Sequence, residues 1–97
     1  MKEKVYAYLK TVPRGKVTTY GEIAARLGDP HWARAVGNIL HRNPDPSQYP
    51  CHRVVNSQGR VAERYAFGGA AAQRKRLEEE GIVFSPDGTV NLEEYGV

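Results

Sequence analysis

The sequence predicts a mainly α fold with minor β structure, a winged-helix domain built on a helix-turn-helix. Three observations carry this. Two short stretches of helical periodicity, 20–27 and 32–42, are joined by a few residues that include Gly28. Two β-branched segments, 53–55 and 60–61, flank Asn56-Ser57-Gln58-Gly59 as a wing would. The remaining long patterned stretches, 2–12 and 70–80, are helical. At 97 residues the chain is sized for one core, so residues 1–97 are expected to form one domain.

Each element has a local reason. Residues 2–12 place Val5, Tyr8, Leu9 and Val12 on one helical face, and Pro13-Arg14-Gly15-Lys16 stops the run. Val17-Thr18-Thr19 is short and β-branched. Thr19 then caps the next helix, with Glu22 at the N3 position of a capping box. That helix buries Ile23, Ala24 and Leu27 and ends at Gly28. After Asp29-Pro30-His31 the second helix, Trp32 to Arg42, presents Ala35, Val36, Ile39 and Leu40 inward. Ala70 to Glu80 forms a helix that stops at Gly81. Ile82-Val83-Phe84 and Thr89-Val90-Asn91-Leu92 flank Ser85-Pro86-Asp87-Gly88, which reads as a terminal hairpin with proline at the second turn position.

The composition narrows the function. One cysteine excludes an internal disulfide and fits a reducing compartment. His31, His41, His52 and Cys51 lack paired-ligand spacing, so neither a metal nor another cofactor is expected. No apolar run approaches a membrane span or a signal-peptide core, so no membrane partner is expected. An intracellular protein is expected, cytoplasmic in a prokaryote or nuclear otherwise. Residues 1–64 carry 11 Lys/Arg against 5 Asp/Glu, whereas residues 65–97 carry 3 against 6. A basic front and an acidic tail suggest a face for a polyanion, most simply nucleic acid.

The chemistry concentrates at Asn43-Pro44-Asp45-Pro46-Ser47-Gln48-Tyr49-Pro50-Cys51-His52-Arg53-Val54. Three prolines stiffen the approach to the only cysteine, since each fixes its own φ and restricts the residue before it. The thiolate is the strongest nucleophile a side chain offers near neutral pH, and Arg53 or a protonated His52 would favour it. On the Cys-His pair alone, Cys51 reads as a small buried hydrophobe, as most free cysteines do. The rest of the chain reverses that reading.

Residues 4 to about 84 resemble the DNA-binding, active-site domain of the O6-alkylguanine-DNA alkyltransferases (methylated-DNA–protein-cysteine methyltransferases). Pro50-Cys51-His52-Arg53-Val54 is highly specific to that family. Lys16-Val17-Thr18-Thr19-Tyr20-Gly21-Glu22-Ile23-Ala24 looks like the first helix of its helix-turn-helix, and Arg34-Ala35-Val36-Gly37 like the start of its recognition helix. Asn43-Pro44 and Glu80-Gly81 stand at the family's other fixed positions. The resemblance implies a helix-turn-helix in the minor groove of double-stranded DNA containing O6-alkylguanine. It implies that Arg34 fills the gap left by an extruded nucleotide and that Tyr20 pushes the 3′ phosphate. Small residues at Ala33, Ala35 and Gly37 permit close approach to the groove. Cys51 then takes the alkyl group in one irreversible turnover, His52 and Glu80 relay its proton through a water, and Asn43 braces the turn before it. Arg53 is expected among the DNA-contacting residues. Flipping fits the chemistry, because a stacked base cannot present its O6 substituent to a thiolate.

The chain also departs from the repair enzymes. It has no room for their extra N-terminal domain. Its length and its residues 56–81 look like the alkyltransferase-like proteins, which recognise alkylated guanine without repairing it and flag it for nucleotide excision repair proteins. Arg64 falls where that subgroup has an arginine that stacks on the flipped base, and Gln73 stands where the active enzymes have lysine. The chain thus joins the body of a non-enzymatic lesion sensor to the nucleophile of an alkyl-transferring enzyme. A plain helix-turn-helix regulator would leave Pro50-Cys51-His52-Arg53 unexplained.

Overall fold

Thr19 sets the start of the central helix pair. In the computed structural model, which describes all 97 residues, its side chain accepts a hydrogen bond from the Glu22 backbone N–H at 3.0 Å. This is the capping the sequence pattern requires, and α2 (Tyr20–Leu27) begins there. Gly28 ends α2 at φ +120°. The Gly28 N–H reaches Ala25 O and the Asp29 N–H reaches Ala24 O, each at 3.1 Å, which is a Schellman closure. Asp29 at once caps a 3₁₀ turn over Pro30–Trp32, its carboxylate accepting from the His31 N–H at 2.9 Å. The chain then enters α3 (Ala33–His41). Two helices joined by one short turn give the expected helix-turn-helix.

The N-terminal helix α1 (Lys2–Leu9) packs on this pair. It stops three residues earlier than the periodicity predicts. Pro13 disfavours helical backbone in the residue before it, and Thr11 and Val12 close as tightened turns onto Tyr8 O and Leu9 O. Val12 still reaches the interior. Val5, Leu9, Ile23, Ala24, Val36, Leu40, Cys51, Val54 and Tyr65 form the main core cluster. A second cluster, Val17, Val55, Leu77, Ile82 and Val90, seats the inner face of α4 (Gly69–Glu79) and the C-terminal segment.

The β structure is minor, as expected, but its pairing differs. β1 (Thr18–Thr19) lies parallel to β2 (Val54–Val55), with Thr18 opposite Val54 and Thr19 opposite Val55. The helix-turn-helix is the crossover between them. The expected wing hairpin does not form a ladder. Asn56 closes the loop, its Oδ1 accepting from the Gln58 and Arg60 N–H groups at 2.9 Å each. Gly59 sits at φ +80°, and a Cβ there would lie 2.2 Å from Val90 O. Only glycine fits, because the wing turn is stitched to the C-terminal segment by the Val90 N–H on Gly59 O at 2.8 Å.

The terminal hairpin is likewise only a turn. The Ser85 N–H meets Thr89 O and the Gly88 N–H meets Ser85 O, each at 2.8 Å. Residues 92–95 are helical instead, forming α5 (Leu92–Tyr95). Asn91 caps this short helix by accepting from the Glu93 and Glu94 N–H groups. Its capping ability outweighed the strand-like spacing of its neighbours. The tail then clasps Val17, which donates to Tyr95 O at 2.9 Å and accepts from the Val97 N–H at 3.0 Å. No helix is long and apolar enough to cross a membrane.

Candidate active site and DNA interface

The turn that presents Cys51 is built by its own residues. Asn43, buried just past the end of α3, donates from Nδ2 to Tyr49 O at 2.8 Å and accepts the Asp45 N–H at 2.9 Å. Asp45 in turn collects the Ser47 N–H and hydroxyl. Pro50, at φ −75° and ψ +69°, makes an inverse γ-turn. The Cys51 N–H therefore closes on Tyr49 O at 2.7 Å. Cys51, His52 and Arg53 follow as one 3₁₀ turn. Asn43 thus holds both ends of the segment that aims the thiol.

Behind the thiol lies a buried ion-pair network. His52 Nε2 stands 2.9 Å from Glu80 Oε2. Arg53 grips the same carboxylate with two bonds, Nε to Oε1 at 2.9 Å and Nη2 to Oε2 at 2.8 Å, and gives Nη1 to Val12 O at 2.8 Å. Burial pushes the Glu80 carboxyl up, but the bonds from Arg53 and His52 overcome it and hold it at about 2. Glu80 is therefore a carboxylate, and the His52 hydrogen that faces it belongs on Nε2. Burial pulls His52 below its ordinary range against the raising effect of Glu80, so the imidazole is neutral at pH 7. Its Nδ1 is buried with no hydrogen-bond partner. That is a free lone pair on the residue that follows the cysteine, able to accept a proton.

The thiol itself rests protonated. Burial raises its pKa, and the neighbouring Asn43 amide and the charge of Arg76 oppose this without overcoming it. The expected activation by Arg53 and by a protonated His52 is corrected here. Arg53 is tied to Glu80 and Val12, His52 is neutral, and the cation felt by Cys51 is Arg76. Reaction at Cys51 needs a base during attack rather than a preformed thiolate.

Cys51 opens onto a cleft of about 1180 Å³. Tyr20, Gly37 and Arg64 line it, so the structure brings these predicted residues together with the cysteine. Tyr6, Tyr49 and Tyr65 add aromatic walls; Tyr6 and Tyr49 stack at 4.8 Å between ring centroids. Tyr49 thereby fastens the cysteine turn to α1. Arg34 lies exposed in the first turn of α3, outside the cleft lining, and Ala35 is half-buried beside it. Arg53 also lies outside the cleft. With His52 and Glu80 it lines a separate polar opening behind the thiol, and its guanidinium is tied to Glu80 and Val12. No three His, Cys, Asp or Glu side chains come together as a metal-ligand set.

Sequence reasoning named Gln73 only as a departure from the active enzymes and overlooked Arg76. Gln73 is fully buried and ties the site's backbone, donating to His52 O at 3.0 Å and Val54 O at 2.8 Å while accepting the Ala62 N–H at 2.8 Å. Arg76 donates from Nη1 to the Tyr65 hydroxyl at 3.0 Å. The available signal was spacing: residues 73, 76, 77 and 80 share one helical stripe, so Arg76 belonged with the buried face.

Comparison with known proteins agrees with this geometry. Residues 1–82 match the family model described as 6-O-methylguanine DNA methyltransferase, DNA binding domain. The alkyltransferase-like protein 1 of Schizosaccharomyces pombe is 46% identical over 80 residues, which is 81% of this chain and 73% of that protein. The mouse methylated-DNA–protein-cysteine methyltransferase is 41% identical over 81 residues, covering 84% of this chain but only 38% of the mouse protein. The crystal structure of S. pombe Atl1 with damaged DNA containing O6-carboxymethylguanine superposes with a TM-score of 0.83 at 41% identity, covering 97% of this chain and 91% of that one.

Proposed function

Because the chain belongs to the 6-O-methylguanine DNA methyltransferase family, we propose that it binds the minor groove of double-stranded DNA, flips an O6-alkylated guanine into the Cys51 cleft and takes the alkyl group onto the thiol. The observation that carries this is the placement of Cys51 on an aromatic-walled cleft with the His52–Glu80 pair directly behind it. In the transfer, Sγ attacks the alkyl carbon as the bond from that carbon to O6 breaks. The thiol proton leaves toward His52 Nδ1, and the released guanine takes up one proton. Overall the alkyl group and the thiol hydrogen change places. Glu80 keeps the imidazole oriented and steadies the positive charge it gains.

A second reading is favoured by a specific observation: Arg64 lines the cleft. A guanidinium over the purine face would grip the ring rather than the alkyl group. That suits a sensor that binds the lesion and leaves its removal to nucleotide excision repair proteins. Both readings share the same first step. It is tested by binding an O6-methylguanine duplex and its undamaged twin over a salt series. Tighter binding of the lesion duplex is expected, with affinity for both falling as salt rises because phosphate contacts release counterions. Equal affinity throughout would rule the reading out. Arg34→Ala, which removes the side chain proposed to fill the vacated stack, is expected to weaken lesion binding about tenfold.

Arg64 provides its own test. Arg64→Ala is expected to reduce affinity for O6-alkylguanine duplexes about 5- to 30-fold while leaving undamaged duplexes nearly unchanged, the signature of a stacked cation. If Arg64 only faces a phosphate, both affinities fall together and the salt slope drops by about one unit.

A further inference from the structure

Tyr65 holds a hydrogen-bond donor for which the protein supplies no acceptor. Its hydroxyl oxygen accepts from Arg76 Nη1 at 3.0 Å. Arginine has no lone pair to offer in return, so the phenol hydrogen must point elsewhere, and no protein atom receives it. The residue is 8% exposed and belongs to the same core cluster as Cys51. Both line the same cleft. Its backbone is pinned on both sides, the Tyr65 N–H on Ala62 O at 3.1 Å and the Gly69 N–H on Tyr65 O at 2.9 Å. Its ring is packed edge-on against Phe67 at 5.7 Å. The ring is therefore held by the fold, with its hydroxyl against Arg76, rather than free to swing.

We propose that Tyr65, polarised by Arg76, is a specificity-determining donor that hydrogen-bonds the flipped purine at the edge it presents to Cys51. This rests on the reading of the cleft as a base pocket and deepens it. An O–H whose oxygen already accepts from a cation is a stronger donor than a free phenol. A guanine offers two acceptors along one edge, O6 and N7. The O6 substituent has to face Cys51 for the cleft to serve its purpose. N7 lies beside O6 on that edge, and Tyr65 lines the same cleft as Cys51. A pocket that pairs such a donor discriminates strongly against bases without the matching acceptor, because the donor is otherwise left buried and unpaired. Toward the base Arg76 acts through the phenol and is a positioning residue, while its charge also reaches Cys51.

The test uses the full chain, an O6-methylguanine duplex and the undamaged duplex of the same sequence. Tyr65→Phe removes one hydroxyl and keeps the ring, so the core stays filled. It is expected to lower lesion affinity about 5- to 15-fold and leave undamaged-duplex affinity within about twofold. Arg76→Leu keeps a helix-forming residue in α4 and is expected to lose a similar factor. The double variant is expected to bind the lesion no worse than Tyr65→Phe alone, because in holding the base Arg76 acts through the Tyr65 hydroxyl. Wild-type selectivity in Tyr65→Phe overturns the proposal, as does a loss in Arg76→Leu that persists undiminished on the Tyr65→Phe background. A wild-type protein with no preference for the lesion overturns the base-pocket reading itself, and the Tyr65 assignment with it.

Discussion

Incubation with a duplex carrying O6-methylguanine is expected to raise the intact mass of the protein by about 14 Da, the replacement of a thiol hydrogen by methyl. The added mass should map to Cys51 and be absent from Cys51→Ala. The expectation follows from the relay. Burial keeps the thiol protonated at rest, so Cys51 alone is a poor nucleophile at pH 7. His52 answers this with a buried, unpartnered Nδ1 and a neutral ring. Glu80, held at about 2, keeps its negative charge on the far side of that ring throughout the working pH range. A positioned general base contributes roughly 100- to 10,000-fold, and losing it should be visible. His52→Gln is expected to slow transfer by at least about 100-fold while sparing lesion binding. An unchanged mass at saturating DNA, with selective lesion binding intact, would sink the enzyme reading and leave the sensor reading standing. The geometry of the cleft sets the stakes, since a misplacement of about 1 Å costs on the order of 100-fold in rate.

Much of this site was legible in the chain, for reasons that can be stated. Cys51, His52 and Arg53 are consecutive, so any local structure keeps them together. Thr19 with Glu22, and Gly28 after Leu27, are capping signals that act within a few residues, and both helix ends fall where those signals place them. The misreadings involve partners distant in sequence. Val54-Val55 pairs with Thr18-Thr19 and not with Arg60-Val61, because the main-chain edge it meets is delivered by the crossover. Arg53 reads as an activator of the neighbouring thiol, yet its partners, Glu80 and Val12, lie 27 and 41 residues away. Tyr65 and Arg76 are separated by a glycine pair, Gly68 at φ +124° and Gly69 at φ +81°. These turn the chain so that the tyrosine meets the third turn of α4. No propensity argument reaches that contact.

Glu80→Gln is expected to be the most destabilising single change in the network, lowering unfolding free energy by about 3 kcal/mol at pH 7. For a chain of this size that corresponds to roughly 10–20 °C in Tm. The carboxyl ionises at about 2 in the folded protein against an ordinary value of 4.5. A folded pKa below the unfolded one stabilises wherever the unfolded group would be charged. The contribution is therefore complete above about pH 4.5 and is lost as pH falls toward 2. Glutamine fits the space and can accept one bond from Arg53, but it leaves a guanidinium at 15% side-chain exposure without its counter-charge. The gap between wild type and variant is thus expected to be widest from neutral pH down to about 5 and to shrink steadily below that. Salt should change it little, since the pair is buried rather than surface-exposed. Urea unfolding at pH 7, 5, 4 and 3 measures the gap directly. A gap that stays constant across that range would mean that Glu80 contributes shape alone, and the charge-coupled network behind Cys51 would have to be abandoned. If instead the gap closes with acid, the same carboxylate that steadies His52 for proton transfer also ties α4 to the cysteine turn, so stability and transfer fall together in this one variant. Cys51→Ala, which removes only the nucleophile, should separate them again by losing transfer while keeping the acid-dependent stability of the wild type.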